Sequence, residues 1–118
     1  MLPMSVVIEE YLDDQGESPF AVWFGDLDAI AAAKVTVALS RIERGAVSNV
    51  KGVGDGVLEF RVDFGPGYRV YFGPDGDRLV ILLAGGTKRR QDEDIAAAKA
   101  RWSNYKARKV RAHKNGGA

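Results

Sequence analysis

Cysteine is absent from the 118 residues, and histidine occurs once, at His113. Without cysteine there can be no disulfide, no thiolate metal site and no cysteine nucleophile, which suits a reducing cytoplasm. With one histidine near the C-terminus, and no clustered carboxylates, no metal site is expected and no cofactor is implied. No apolar run approaches the roughly 20 residues of a membrane span. The opening MLPMSVVIEEYLDD has no basic segment and meets acid after eight residues, so neither a signal peptide nor a membrane anchor is expected. Repeats and linkers are also missing, and the length fits one domain over residues 1–118, with residues 110–118 read as a flexible basic tail.

What is present is a hidden charge asymmetry. The net charge of +1 divides into −6 over residues 1–87, with seven Lys/Arg against thirteen Asp/Glu, and +7 over residues 88–118, with ten against three. Such a split points to a polyanionic partner, an acidic protein partner, or both.

The hydrophobic pattern gives an α+β fold. Residues 5–11 read as a first strand. Ser18-Pro19 reads as a helix N-cap with proline at the first helical position, opening a short helix that stops at Gly25. Asp26 is placed to cap a longer helix whose stripe is Leu27, Ala31, Val35, Leu39 and Ile42, closed by Gly45. Residues 57–64 alternate strictly, with Leu58, Phe60, Val62 and Phe64 on one face and Glu59, Arg61 and Asp63 on the other. Gly65-Pro66-Gly67 turns the chain into a strand over residues 68–72, and Gly73-Pro74-Asp75-Gly76 turns it again. Residues 78–84, RLVILLA, are apolar on both faces and read as a central strand. From Gln91 a helix carries Ile95, Ala98, Trp102 and Tyr105 to about residue 109. The expected order is β-α-α-β-β-β-α: a small antiparallel sheet with the N-terminal strand and helical hairpin packed on one face, and a C-terminal helix. Trp23 and Trp102 are expected in the core. Gly52, Gly54 and Gly56 precede a strand rather than a helix, so they are not read as a phosphate loop.

With the hairpin on one face, the other is expected to present Glu59, Arg61, Asp63, Arg69 and Tyr71, with Lys88, Arg89 and Arg90 where the sheet ends. Arginine pairs bidentately with phosphate, and exposed aromatics stack on unpaired bases. Cations also stabilise the charge that builds on a phosphate under attack. This chemistry suits RNA binding and cleavage. The plain alternative for Arg61 is an ion pair with Glu59 or Asp63 on a solvated face.

Residues 52–95, above all Leu58-Glu59-Phe60-Arg61, Gly67-Tyr68-Arg69-Val70-Tyr71 and Gly85-Gly86-Thr87-Lys88, resemble the RelE/ParE superfamily of type II toxins, and most closely its HigB-like branch of addiction-module killer proteins. The resemblance implies a RelE-like fold and an mRNA endoribonuclease acting on the ribosome. It also implies inhibition of translation until a cognate antitoxin, in this branch a helix-turn-helix protein, neutralises the toxin in a hetero-oligomer. Carried over by position, Arg61 and Arg69 match the superfamily's strand cations, and Lys88 and Arg89 the cations after the last strand. Catalysis is expected at Arg69, Lys88, Arg61 and Tyr71, the last a substitute for the superfamily's aromatic, and RNA binding at Arg89, Arg90, Lys51 and Arg101. The 2′-hydroxyl of RNA is the nucleophile, no metal is needed, and the base is Tyr71 or Lys88, whose pKa nearby cations would lower. The chain departs from the superfamily before its last helix. Where a tyrosine or histidine is common it has Gln91-Asp92-Glu93-Asp94, acids that either serve the chemistry or favour the helix dipole. Two alternatives follow: a ParE-like inhibitor of DNA gyrase acting through the basic helix over residues 99–114, or a catalytically inactive module that only binds its antitoxin. The basic C-terminal region is also expected to make antitoxin association slower at high salt.

Overall fold

The computed structural model describes residues 5–46 and 48–116. Strand β1 (Val7–Glu10) leads to helices α1 (Pro19–Gly25) and α2 (Ala29–Glu43). Strands β2 (Val50–Gly54), β3 (Val57–Val62), β4 (Tyr68–Asp75) and β5 (Leu79–Thr87) follow. A 3-10 turn (Lys88–Arg90) then leads into α3 (Gln91–Gly116). The five strands form one sheet in the order β1-β5-β4-β3-β2, antiparallel except for β1, which runs parallel to β5. The α+β class holds, as a mixed sheet.

Local chemistry explains most boundaries. The Ser18 hydroxyl accepts from the Ala21 N–H at 3.0 Å, with Pro19 in the first turn of α1. Asp28, not Asp26, caps α2 by accepting from Ala31 N–H at 2.8 Å, while Asp26 closes α1. At the other end of α2, Gly45 (φ 73°) donates to the Ile42 carbonyl and Ala46 donates to Arg41, the paired bonds of a Schellman turn. Strand β2 was not expected. It forms a hairpin with β3 through Asp55 (φ 59°) and Gly56 (φ 86°), the two left-handed positions of a two-residue turn. Strand β4 continues through Pro74 instead of turning at Gly73. Its pairing with β3 ends at Phe72, so the N–H that Pro74 lacks is not needed there.

Both faces of the sheet are covered. On one, Phe60, Val62, Val70, Phe72 and Leu82 pack against Phe20 of α1 and Ala31, Val35 and Ile42 of α2. On the other, Tyr71, Ile81 and Leu83 pack beneath Ala98 and Trp102 of α3, with Ile95 and Tyr105 beside them. Trp102 lies so close to Gly73 that a Cβ there would stand 2.5 Å from the indole. The face expected to be open is therefore roofed by α3. The roof is also longer than the sequence pattern indicated: α3 stays helical to Gly116, through most of the segment read as a tail, and residues 117–118 lie outside the described residues.

Polar contacts fasten the far half of α3. Lys109 Nζ reaches both Asp75 oxygens at 2.9 and 2.8 Å, and the Tyr105 hydroxyl donates to Asp75 at 2.6 Å. Arg108 donates to the Leu12 carbonyl at 2.6 Å and to Asp14 at 2.9 Å. The bonds from Lys109 and then Tyr105 hold the Asp75 carboxyl below the usual aspartate range, against a smaller opposing effect of burial. A depressed folded-state pKa contributes stability that is complete above the unfolded value and disappears as pH falls through the folded one. Acid unfolding should therefore steepen below about pH 4. Asp75→Asn should flatten that limb in denaturation curves collected from pH 5 to 2.

Candidate functional site

The alternation of β3 and β4 directs Glu59, Arg61, Arg69 and Tyr71 to the α3 face. The register aligns Lys51, Glu59 and Tyr71 in one row across the sheet and sets Arg61 opposite Arg69 in the next. Two arginines in direct cross-strand opposition cost stability unless something separates or compensates them. Here they part. Arg61 is exposed and joins no ion pair among the described residues. Arg69 is 6% exposed and turns toward Glu59, which is 1% exposed, with 3.6 Å between Nε and Oε2.

Glu59 organises the buried part. The first residue of α3, Gln91, donates to its Oε2 at 2.8 Å, and Lys51 Nζ lies 3.7 Å from its Oε1. Arg61, for which an ion pair with Glu59 or Asp63 was the plain alternative, pairs with neither among the described residues. The Glu59–Gln91 bond also separates two shallow hollows of about 240 Å³ each. One is lined by Lys51, Arg61 and Asp63, the other by the Lys88–Arg90 turn and the acids of the first turn of α3. Arg69 lies behind them. Its Nη1 would stand 3.4 Å from a Cβ at Gly67 (φ 80°), and Lys88 Cβ would stand 3.9 Å from the same point. Lys88 is fixed there by its N–H, which donates to the Gly67 carbonyl at 3.0 Å. Glycine at position 67 thus serves the turn, where its positive φ disfavours any other residue.

The site residues read from sequence divide into three groups. Arg61, Lys88, Arg89 and Lys51 are exposed around one corner of the sheet, and Arg69 supports them from beneath. Arg90 is exposed beside them but pairs with Glu93 at 2.7 Å. Arg101 lies elsewhere: its Nη1 donates to the Leu83 carbonyl at 2.9 Å, in a different cleft. Tyr71 is removed from the surface, at 0% exposure. The expected display of its phenol beside Arg69 is corrected, because α3 covers it. The expected lowering of its pKa is corrected too. Burial, reinforced by Glu59 and Asp94, pushes the phenol upward and outweighs Arg69. Glu59 lies near enough to act on Tyr71, yet no well-formed hydrogen bond reaches the hydroxyl; it, Glu59 Oε1 and Arg69 Nε are buried without hydrogen-bond partners. A phenol in this state is neutral and cannot act as a base on an external ligand.

Glu59 and Gln91 were the residues that sequence reasoning missed as site organisers. Their signal was weak: one acid in an alternating strand, and one amide in a polar run. Among the described residues no group of three His, Asp or Glu is arranged to hold a metal ion, and no helix is long and apolar enough to cross a membrane.

A small mixed sheet with helices on both faces and a cationic corner beside the start of the last helix defines the class of protein. The chain belongs to the family of phage-derived Gp49-like proteins (DUF891), whose model matches residues 22–103, a span that includes every residue of the corner. It is similar to an uncharacterized protein of Haemophilus influenzae (strain ATCC 51907 / DSM 11121 / KW20 / Rd), 43% identical over 81 residues, which cover 68% of this chain and 82% of the relative.

Proposed function

We propose that the chain is the toxin of a toxin–antitoxin pair and a member of the RelE/ParE superfamily, and that its corner of Arg61, Arg69, Lys88 and Arg89 holds and cleaves mRNA. The association of Gp49-like proteins with toxin–antitoxin pairs supports the biological half. One observation carries the chemical half: Arg61, Lys88 and Arg89 are exposed at one corner of the sheet, beside the buried Arg69–Glu59 pair. A phosphate at this corner neutralises charge that the fold concentrates at a cost. In the reaction the 2′-hydroxyl of RNA attacks the adjacent phosphorus. Its proton passes to water: Tyr71 is sealed, and Lys88, the other base considered from sequence, serves here as a cation. Arg61 and Lys88 hold the charge of the five-coordinate phosphorus, with Arg69 adding its charge from beneath, and the 5′-oxygen leaves with a proton taken from water. The products are a 2′,3′-cyclic phosphate and a 5′-hydroxyl.

The burial of Tyr71 favours a second reading, an inactive module that binds its antitoxin and does no chemistry. A gyrase inhibitor acting through α3 is the third. Mapping RNA 5′ ends after induction in a growing host separates them. The ribonuclease predicts new 5′ ends phased by codon. Intact mRNA with DNA damage would support the gyrase reading, and harmless expression the inactive module.

A further inference from the structure

Strand β5 outruns its outer neighbour. β1 pairs with residues 79–82, and the chain then leaves after the Tyr11 N–H donates to the Leu82 carbonyl at 2.9 Å. Residues 83–87 continue beside β4, and among the described residues no strand lies on their other edge. At the rise of a strand this stub is about 17 Å long. An unpaired edge offers N–H and C=O groups that can template another strand. The outer edges of β1 and β2 are short and carry Glu9 and Glu10 or Lys51, charges that discourage such pairing. The stub carries no charged side chain of its own, and Arg101 covers only its first carbonyl, at Leu83.

A cleft of about 610 Å³ runs along it, walled by α1 on one side and α3 on the other. Gly85 and Gly86 make the cleft possible. Trp23 occupies the place where a Cβ of Gly85 would stand, and the Asp94 carboxylate occupies the corresponding place at Gly86. The middle of the edge therefore carries no side chains of its own, and its two walls differ in chemistry. Trp23 and the half-exposed Val22 form an apolar wall. The other is polar, with Asp94 flanked by Arg90 and Arg101. Arg90 is already bound to Glu93, and Arg101 to the Leu83 carbonyl. Asp94 joins no ion pair among the described residues. Partial burial also holds its carboxyl above the usual aspartate range, despite both arginines.

We propose that this cleft receives an extended segment of a partner protein, which adds a strand along residues 84–87 with an apolar side chain against Val22 and Trp23 and a lysine or arginine against Asp94. Main-chain bonds supply affinity in such strand addition, and pockets for alternate side chains supply specificity. The groove adjoins the corner through Arg90 and Glu93, which line both, but is lined by neither Arg61 nor Lys88. The identification of the partner as the antitoxin rests on the toxin reading above; the groove itself does not.

The test selects a phage-displayed library of twelve-residue peptides against the whole chain and follows amide hydrogen exchange with the enriched peptides bound. The expected peptides alternate apolar and basic residues and slow exchange at residues 84–87 at least tenfold. Ala97→Trp, which fills the cleft from α3, and Val22→Glu, at an exposed position, should each weaken binding at least tenfold. Asp94→Asn should remove the preference for a basic residue. The proposal is overturned if no peptide is enriched. It is equally overturned if the enriched peptides bind both cleft variants as tightly as the parent, or protect amides elsewhere. Growth arrest scored with the same variants judges the toxin reading separately, since peptide binding involves no RNA.

Discussion

Trp102→Ala should lower the unfolding free energy by about 3–5 kcal/mol, the cost of deleting a large buried aromatic. Domains of this size are stable by roughly 5–15 kcal/mol, so the change consumes a large share of the total. The reason lies in what one side chain connects. Trp102 is 5% exposed, fills the space left by Gly73, and stacks on Tyr105 with ring centroids 5.3 Å apart and planes 7° apart. Lys106 lies over its ring at 5.5 Å. With Ala98, Ile95 and Tyr105, Trp102 ties α3 to the sheet. Urea denaturation of parent and variant measures the effect. A loss below about 1 kcal/mol would mean that α3 is held by its polar contacts alone.

Glu59→Ala should cost about as much for the opposite reason. Removing one partner of a buried charge pair strands the other, at about 3–5 kcal/mol, whereas replacing both with apolar groups is often neutral. Arg69 would remain beneath α3 without its ion-pair partner, and Gln91 would lose its acceptor. Glu59→Leu combined with Arg69→Met should return most of the lost stability while eliminating activity at the corner. The double-mutant cycle measures the coupling, expected above about 2 kcal/mol. Additive effects would mean that Glu59 does not hold Arg69, and the account of the buried part would fail.

These two residues also mark where the sequence was legible and where it was not. The alternation in VLEFRVDF and YRVYF assigned each side chain to the correct face, and Ser18-Pro19 opened a helix as its capping chemistry requires. Asp55-Gly56 was a hairpin signal, but Gly52 and Gly54 diluted the strand pattern before it, so β2 was missed. Pro74 looked like a turn because proline is excluded from central ladders. Only the early end of β3 permits it inside β4. The roof over the second face left a trace as well. RLVILLA is apolar on both sides, which requires cover on both, and Ile95, Ala98, Trp102 and Tyr105 are the stripe that provides it. The polar alternation of Glu59, Arg69 and Tyr71 concealed this, because buried polar groups that neutralise one another resemble solvated ones in sequence. The shared face of Arg61 and Arg69 was legible from the strand period. The sealing of Tyr71 depended on where α3 lies, which no local pattern specifies.

The most direct measurement compares RNA cleavage by the parent chain with that by Arg61→Ala/Lys88→Ala and Tyr71→Phe, after melting curves establish that all three are folded. Arg61 and Lys88 are exposed, so their loss should leave the fold intact and reduce cleavage at least 100-fold, the usual scale for removing groups that stabilise developing charge. Tyr71→Phe deletes a buried hydroxyl that has no hydrogen-bond partner and should stay within about threefold of the parent. Cleavage that survives the double substitution, or disappears with Tyr71→Phe in a folded protein, would contradict the assignment of the corner.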